Sequence, residues 1–389
     1  MVDWITTENI HTEAWNRILE YANLDFAYSE ISRFHGTPLD NNSKRNYKKQ
    51  AEQIRVSILQ SKEYFDAVNN STLFTSPNHL YYGMLSLASA IMLLRGTGDK
   101  SLDKLRNDNK NMHHGLYFST NIKKKTCREG LRILDNSYVE ISQYGLFKNW
   151  YETLPTRYEV AAEVRTIEGR LSNTTRTFGG FESLLSAEQL VGKKYKVLHL
   201  FSRLPDLIQN LIRYEYPVNA SRADFKKIIN KNNKSISFQW LIHGAANPRD
   251  LEAILEKFKS PPSLTASWKC TNIEKQTGCI VDLSIPIEYE PETFFWPSLR
   301  EDIHNDTIMF ESNLDTLEIV DAYLASYVLS MLARYYPDYW IRCLESHCIA
   351  AKAIEHFVFV MVKKFPLLAL KLFTDSDIVI SIHKPFWQN

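Results

Sequence analysis

Apolar residues recur at helical spacing from Thr12 to Phe34, where Trp15, Ile18, Leu19, Ala22, Phe26 and Ile31 fall on one side of a helix. The polar stretch HGTPLDNNSK that follows reads as a loop. A second amphipathic run, Arg45 to Val68, gathers Ile54, Ile58, Leu59 and Phe65 on one face. The segment LYYGMLSLASAIMLL, Leu80 to Leu94, is different: it is apolar nearly all round, so other helices must enclose it. It is also shorter than the roughly 20 residues of a bilayer span. Ser76 and Pro77 supply an expected N-cap and a favoured first helical residue, and Gly96 and Gly98 an expected stop.

The pattern then weakens. Lys100 to Lys125 is polar and reads as a loop, with β-like pieces at Gly115 to Ser119 and Tyr138 to Ser142. Helix is expected again from Pro155 to Gly169. Ser186 and Gln189 have the S-x-x-Q form of a capping box, opening a helix expected to run toward Leu204, and Pro205 restarts it. Between residues 234 and 290 the period changes to two in SISFQWLI and GCIVDLSIPIE, and TASWKCTN is expected to face the latter across a turn. Asn247-Pro248 announces a short helix between them. From residue 315 to residue 373 the helical pattern is strongest, and it predicts two long helices broken at Tyr336-Pro337, with Asp338 near the positive end of the second and Pro366 in its tail.

These elements predict a mostly α protein with a small antiparallel β insertion (α+β), built as a multi-helix bundle. Three parts are expected: an N-terminal helical domain, 1–204, carrying a polar HHG loop; a mixed α/β element, 205–300; and a C-terminal helical hairpin domain, 301–389.

Composition narrows the class. With 389 residues, 44% of them hydrophobic, the chain can bury a sizeable core. Its 46 basic and 45 acidic residues leave a net charge of +1, so a chain-wide polycationic field for nucleic acid is missing. The five cysteines include no C-x-x-C pair. The start, MVDWITTENIHTEAW, lacks the basic and apolar regions of a signal peptide. A cytoplasmic location, with free thiols and no membrane contact, is the expectation.

The standard catalytic motifs are absent: there is no G-x-x-x-x-G-K-[ST], no G-x-G-x-x-G after a strand, no H-E-x-x-H and no G-x-S-x-G. Gly179-Gly180, ahead of the capping box, could bind an anion at a helix start, but an ordinary loop is the simpler reading. Cys343 and Cys348 on one helix would point roughly 140° apart, so no metal site is expected, and no cofactor. Tyr335, Tyr336, Tyr339 and Trp340 read as a packed helix junction.

Two constellations invite chemistry. His113-His114-Gly115 with the run Lys123, Lys124, Lys125 could grip a phosphate or move protons, unless it is a solvated loop whose glycine permits a turn. Arg342 and His347 form R-x4-H, one case of the R-x4–6-H signature of HEPN-type ribonucleases, in which Arg stabilises charge on phosphorus and His moves protons. The pattern is permissive, since Arg106 and His113 satisfy it as well.

Four segments in order, Leu80–Leu94 with LYYGM, His114–Lys125 with HG and a basic run, Tyr144–Trp150 with YGLFKNW, and Leu329–Trp340 with LSMLARYYPDYW, resemble the YaaC-like family. The chain departs from that pattern in having Gln143-Tyr144 before Gly-Leu-Phe. The resemblance implies a bacterial cytoplasmic protein, with phage-defence loci as a setting for some members, and it supplies no active site. Three functional readings stay open. One is a non-catalytic interaction subunit that pairs with another protein or with its own copy. Another is a nucleic-acid-processing effector acting on RNA or DNA, a HEPN-like RNase through Arg342 and His347, or an enzyme using His114 and the lysine run. The last is a small-molecule or nucleotide-binding enzyme or sensor. Whether His114 and Arg342 share a pocket is the observation that discriminates best.

Overall fold

Side-chain caps decide where the first helices begin. Asn9 accepts a hydrogen bond from the Thr12 N–H (3.1 Å), Asn23 from Asp25 and Phe26 (3.0 and 3.1 Å) and Asp40 from Ser43 (2.7 Å). After them start α1 (Ile10–Glu20), α2 (Leu24–His35) and α3 (Asn41–Asn69). The expected single helix from Thr12 to Phe34 is therefore two, because Asn23 recaps the chain. The Asp40 cap likewise draws the end of the polar loop into α3. The computed structural model describes residues 2–7, 9–97, 101–108, 113–121, 130–155, 164–165, 171–172, 184–218, 220–230, 235–243, 278–286, 299–304, 307–310, 314–345, 349–375 and 377–381.

Helix α4 (Ser76–Arg95) packs along α3 and is buried along most of its length, as its unbroken apolar character requires. Ser76 is its first residue and not its cap; Thr75 holds the cap position without a side-chain hydrogen bond, and Pro77 sits in the first turn. Gly83 brings the two helices close. A Cβ there would lie 2.7 Å from the Phe65 ring, and the Ser61 hydroxyl donates to the Gly83 carbonyl at 2.8 Å.

A strand β1 (Val2–Thr6) precedes these helices. After α4 come α5 (Leu102–Asn107), β2 (Leu116–Thr120), α6 (Gly130–Asp135), β3 (Ser137–Ile141) and α7 (Leu146–Tyr151). Then follow β4 (Val164–Arg165), β5 (Leu171–Ser172), α8 (Ala187–Leu190), β6 (Lys194–Lys196) and α9 (Val197–Phe201). The β-like pieces expected near 115 and 138 are the paired strands β2 and β3, with β6 as the third strand of an antiparallel sheet. Two expectations fail here. Val164–Arg165 is a strand paired with β5, inside a stretch expected to be helical. The Ser186–Gln189 capping box is real, but its helix ends at Leu190, and β6 intervenes before the chain turns helical again.

A 3-10 turn at Pro205–Leu207 leads into α10 (Ile208–Arg213). The β insertion follows as β7 (Ala220–Asn230), β8 (Ser235–His243), β9 (Gly278–Pro286), β10 (Leu299–Glu301) and β11 (Thr307–Phe310), in the spatial order β10-β11-β7-β8-β9. All its pairings are antiparallel. The expected helix after Pro248 and the TASWKCTN strand lie outside the described residues.

The C-terminal region holds α11 (Glu318–Tyr335), α12 (Pro337–Leu344), α13 (Ile349–Thr374) and β12 (Asp377–Ser381), the last lying parallel to β1. The break at Pro337 falls where expected. The second of the two expected helices is itself divided, because Glu345 is extended at φ −50°, ψ 138°. Cys348 lies outside the described residues, and Pro366 lies buried inside α13 without ending it. The architecture is mostly α with an antiparallel β insertion. One hydrophobic core joins both ends of the chain, from Ala14 to Phe373, and the Tyr21 hydroxyl donates to the Phe373 carbonyl at 2.9 Å. Among the described residues no helix is long and apolar enough to cross a membrane.

Where the β insertion meets the helices, charges are buried. Arg300 on β10 donates to Asp321 (2.8 Å) and to the Arg203 and Thr316 carbonyls, and Arg203 reaches Asp315 at 2.5 Å. Lys364 of α13 lies between Asp206 (2.6 Å) and Glu318 (2.5 Å). A desolvated charge is tolerated only when paired in this way.

Candidate functional site

Two glycines lock the HHG loop against the start of α7. Gly115 and Gly145 adopt φ of +79° and +114°, and a Cβ on Gly145 would fall 2.4 Å from the Gly115 Cα. With no side chain at either position, the strands of backbone touch. The carbonyls of His113 and His114 then accept from Leu146 and Phe147, each at 3.0 Å, and the Gly115 carbonyl accepts from Ser142 at 3.0 Å. These bonds tie the loop to the segment Tyr144–Trp150 and fix both histidine backbones.

The two imidazoles go to different places. His113 is exposed, accepts from the Gly115 N–H at Nδ1 (3.0 Å) and stacks on Tyr117. His114 turns inward, with Nδ1 3.1 Å from the Tyr81 hydroxyl and its ring against Tyr81 and Tyr327. Burial lowers its pKa, and the charge of Arg334 and the neighbouring His113 ring lower it further, which disfavours the charged imidazolium. Tyr81 is fully enclosed by Tyr323, Tyr327 and Tyr82, and burial raises its phenol well above its ordinary range.

Next to this pair stands Arg334, in the last turn of α11. Its Nη1 donates to the Tyr82 hydroxyl at 2.6 Å, and its guanidinium lies 5.3 Å from the Tyr82 ring and 5.1 Å from the Tyr335 ring. Nε approaches the Ser330 carbonyl at 3.4 Å and Nη2 the Met331 sulfur at 3.6 Å. Among the described residues no carboxylate neutralises it. Tyr82 stacks on Tyr64, which is in turn close to His79, and Ser330 donates to Asn78 at 3.1 Å. Helices α4 and α11 are therefore joined by a polar seam at the same level as His114.

An aromatic row continues outward from the seam. Phe118 meets Tyr336, Tyr336 stacks on Tyr339 with ring planes 7° apart, and the Arg342 guanidinium lies 6.0 Å from the Tyr339 centroid. Tyr117 and Tyr335 are 56% and 62% exposed. Of the four aromatics expected to form a packed junction, Trp340 is buried and Tyr335 faces solvent.

The sequence candidates thus separate. His114 contacts Tyr81 and Tyr327 and feels Arg334, whereas Arg342 sits farther along, over Tyr339. Lys123, Lys124, Lys125 and His347 lie outside the described residues, as does Gly179-Gly180. The arginine whose charge acts on His114 is Arg334, which bonds Tyr82 beside the Tyr81 that His114 meets, and which sequence reasoning passed over. Its signal was present: Arg334 lies seven residues after Tyr327, two helical turns along the same face. No group of three or more His, Cys, Asp or Glu placed to hold a metal occurs among the described residues.

Comparison with known families finds a match over residues 20–373 to the model of the family described as YaaC-like Protein. No curated protein matches the chain. No solved structure matches it.

Proposed function

This chain belongs to the YaaC-like family, and we propose that it works as a non-catalytic interaction subunit of a cytoplasmic bacterial complex, docking a partner protein on the aromatic row. The observation that carries the reading is the row Phe118, Tyr336, Tyr339 and Arg342, with the exposed Tyr117 and Tyr335 next in sequence to its members Phe118 and Tyr336. Tyrosine and arginine dominate the energetic centres of protein interfaces, because they bury large area and still offer directional polar groups. The row rests on α11 and α12, whose inner faces are in the core, so it is presented on a rigid support.

The test compares full-length wild type with the double variant Tyr117→Ser, Tyr339→Ser. Both are expressed at native level in the source bacterium, and stoichiometric partners are quantified after affinity purification. Light scattering of the pure protein reports self-association. A partner or self-complex lost in the variant, with an unchanged melting temperature, supports docking on this row. A wild type that is monomeric and partnerless, or a complex that survives the double substitution, refutes it.

A further inference from the structure

We propose that the seam between α4 and α11 is a binding site for a single phosphomonoester group, held by Arg334 and His114 and walled by Tyr82 and Tyr64. This inference does not rest on the docking reading, since its residues lie inward of the aromatic row. Five observations support it. Arg334 has a Tyr82 hydroxyl on Nη1, a weak sulfur contact on Nη2 and a long Ser330 carbonyl contact on Nε, and no carboxylate among the described residues answers its charge. A half-exposed arginine left in that state keeps donors in the forked geometry that matches a phosphate. Its guanidinium is also held in place between two tyrosine rings, which lowers the ordering cost of binding.

His114 supplies the second donor. Its Nδ1 meets the Tyr81 hydroxyl, the Tyr81 ring lies 5.6 Å from that of Tyr82, the acceptor of Arg334, and Nε2 has no partner among the described residues; the Arg334 charge lowers the imidazole pKa. An arriving phosphate would reverse this repulsion by placing a negative charge between the two. Beside them Tyr82 and Tyr64 stack with centroids 5.6 Å apart, and His79 adjoins Tyr64. That wall suits a flat aromatic group attached to the phosphate. The balance of charge in the chain favours one anionic group over many. A protein with 46 basic and 45 acidic residues lacks the excess that a polyanion needs.

The experiment titrates the full-length protein by calorimetry with inorganic phosphate, with a nucleoside monophosphate, and with a single-stranded RNA oligonucleotide. Expected is one-to-one binding of the monophosphate, weakened about 10- to 100-fold by Arg334→Met, the scale of a lost hydrogen bond to a charged group. Affinity should rise as pH falls below the ordinary imidazole range, because protonation of His114 adds a positive charge. The groups facing that ring are Tyr81 on α4, Tyr327 and Arg334 on α11, and His113. His114→Gln should remove this rise while retaining binding at pH 8. Equal affinity for inorganic phosphate and the monophosphate confirms the anion site and confines recognition to the phosphate. Absence of binding by any probe overturns the proposal, and so does an unchanged affinity in a folded Arg334→Met protein. Should that variant unfold, Arg334→Lys provides the test: it keeps the charge but not the fork, and undiminished binding by it overturns the forked contact. Binding of the oligonucleotide alone, with a steep salt dependence, overturns the single-anion reading in favour of a polyanion surface.

Discussion

Replacing Lys364 by Met should destabilise the protein severely at neutral pH and less so in acid. The Lys364 ammonium lies 2.6 Å from Asp206 and 2.5 Å from Glu318, with side-chain exposures of 6%, 2% and 10% for the three. Methionine keeps most of the shape, so the loss is electrostatic and little cavity forms. Two carboxylates then face each other without the ammonium they share. Breaking a buried pair from one side costs about 3–5 kcal/mol, and a Coulomb estimate of about 5 kcal/mol per contact at 3 Å and an effective dielectric of about 20 agrees in scale.

The pH dependence follows from Glu318. Burial holds its carboxyl above the usual range, against the pull of Lys364 and Arg300. Removing Lys364 lets it climb further. A carboxyl whose folded pKa exceeds its unfolded value takes up a proton on folding, so stability rises as pH falls through the interval between the two. The variant's deficit should therefore shrink between pH 7 and pH 5, as measured by urea denaturation at matched m-values. Adding Asp206→Asn and Glu318→Gln should recover more than half of it at pH 7. A loss below about 1 kcal/mol, or one that neither acid nor the added substitutions relieve, would show that this cluster is solvated and would refute the argument.

Two further outcomes test other parts of the structure. Gly145→Ala should lower stability by at least about 1–3 kcal/mol, because its φ of +114° is strained for alanine and its Cβ would strike the Gly115 backbone; a thermal melt unchanged from wild type would mean the two loops do not touch. Burial opposes the charge of Asp315, but Arg203, Tyr195 and Lys193 prevail and hold its carboxyl below the ordinary range. Its contribution is thus present above the unfolded pKa of about 3.9 and is lost as pH falls through the folded value, so Asp315→Asn should flatten the acid limb of the stability profile.

How much of this could be read from sequence depended on whether a residue's partner was local. The buried character of Leu80–Leu94, the Pro337 break, the Ser186 capping box and the strands at 116 and 138 follow from neighbours within a few positions, and they are found in the structure. Asn23 and Asp40 were equally local signals; the apolar periodicity running past Asn23 hid the break it makes, and the polar residues after Asp40 read as loop although it caps α3. Strand β7 was not foreseen, because ASRADFKKIIN carries charges that blur alternation. The division of the final helix at Glu345 has no proline or glycine to announce it. Of the site, His114 was visible as a glycine-flanked histidine. Arg334 showed only its seven-residue spacing from Tyr327, since its partner Tyr82 lies 252 positions away in sequence.

The four segments that carry the family resemblance are the ones that build one seam. LYYGM supplies Tyr81 and Tyr82; HHG supplies His114; YGLF supplies the glycine that packs against Gly115 and the helix start that holds the loop; LSMLARYY supplies Ser330 and Arg334. A motif kept only for packing would need apolar side chains at this junction. Here it brings an arginine with no carboxylate partner among the described residues, and a half-buried histidine whose pKa burial lowers, to a place where the core beneath is otherwise closed by aromatic rings. Leaving such charge unanswered next to tyrosines costs stability that a hydrophobic junction would not. The arrangement is physically economical only if something negative completes it, and that makes the seam a better place to look for ligand than Arg342, which lies out along the aromatic row.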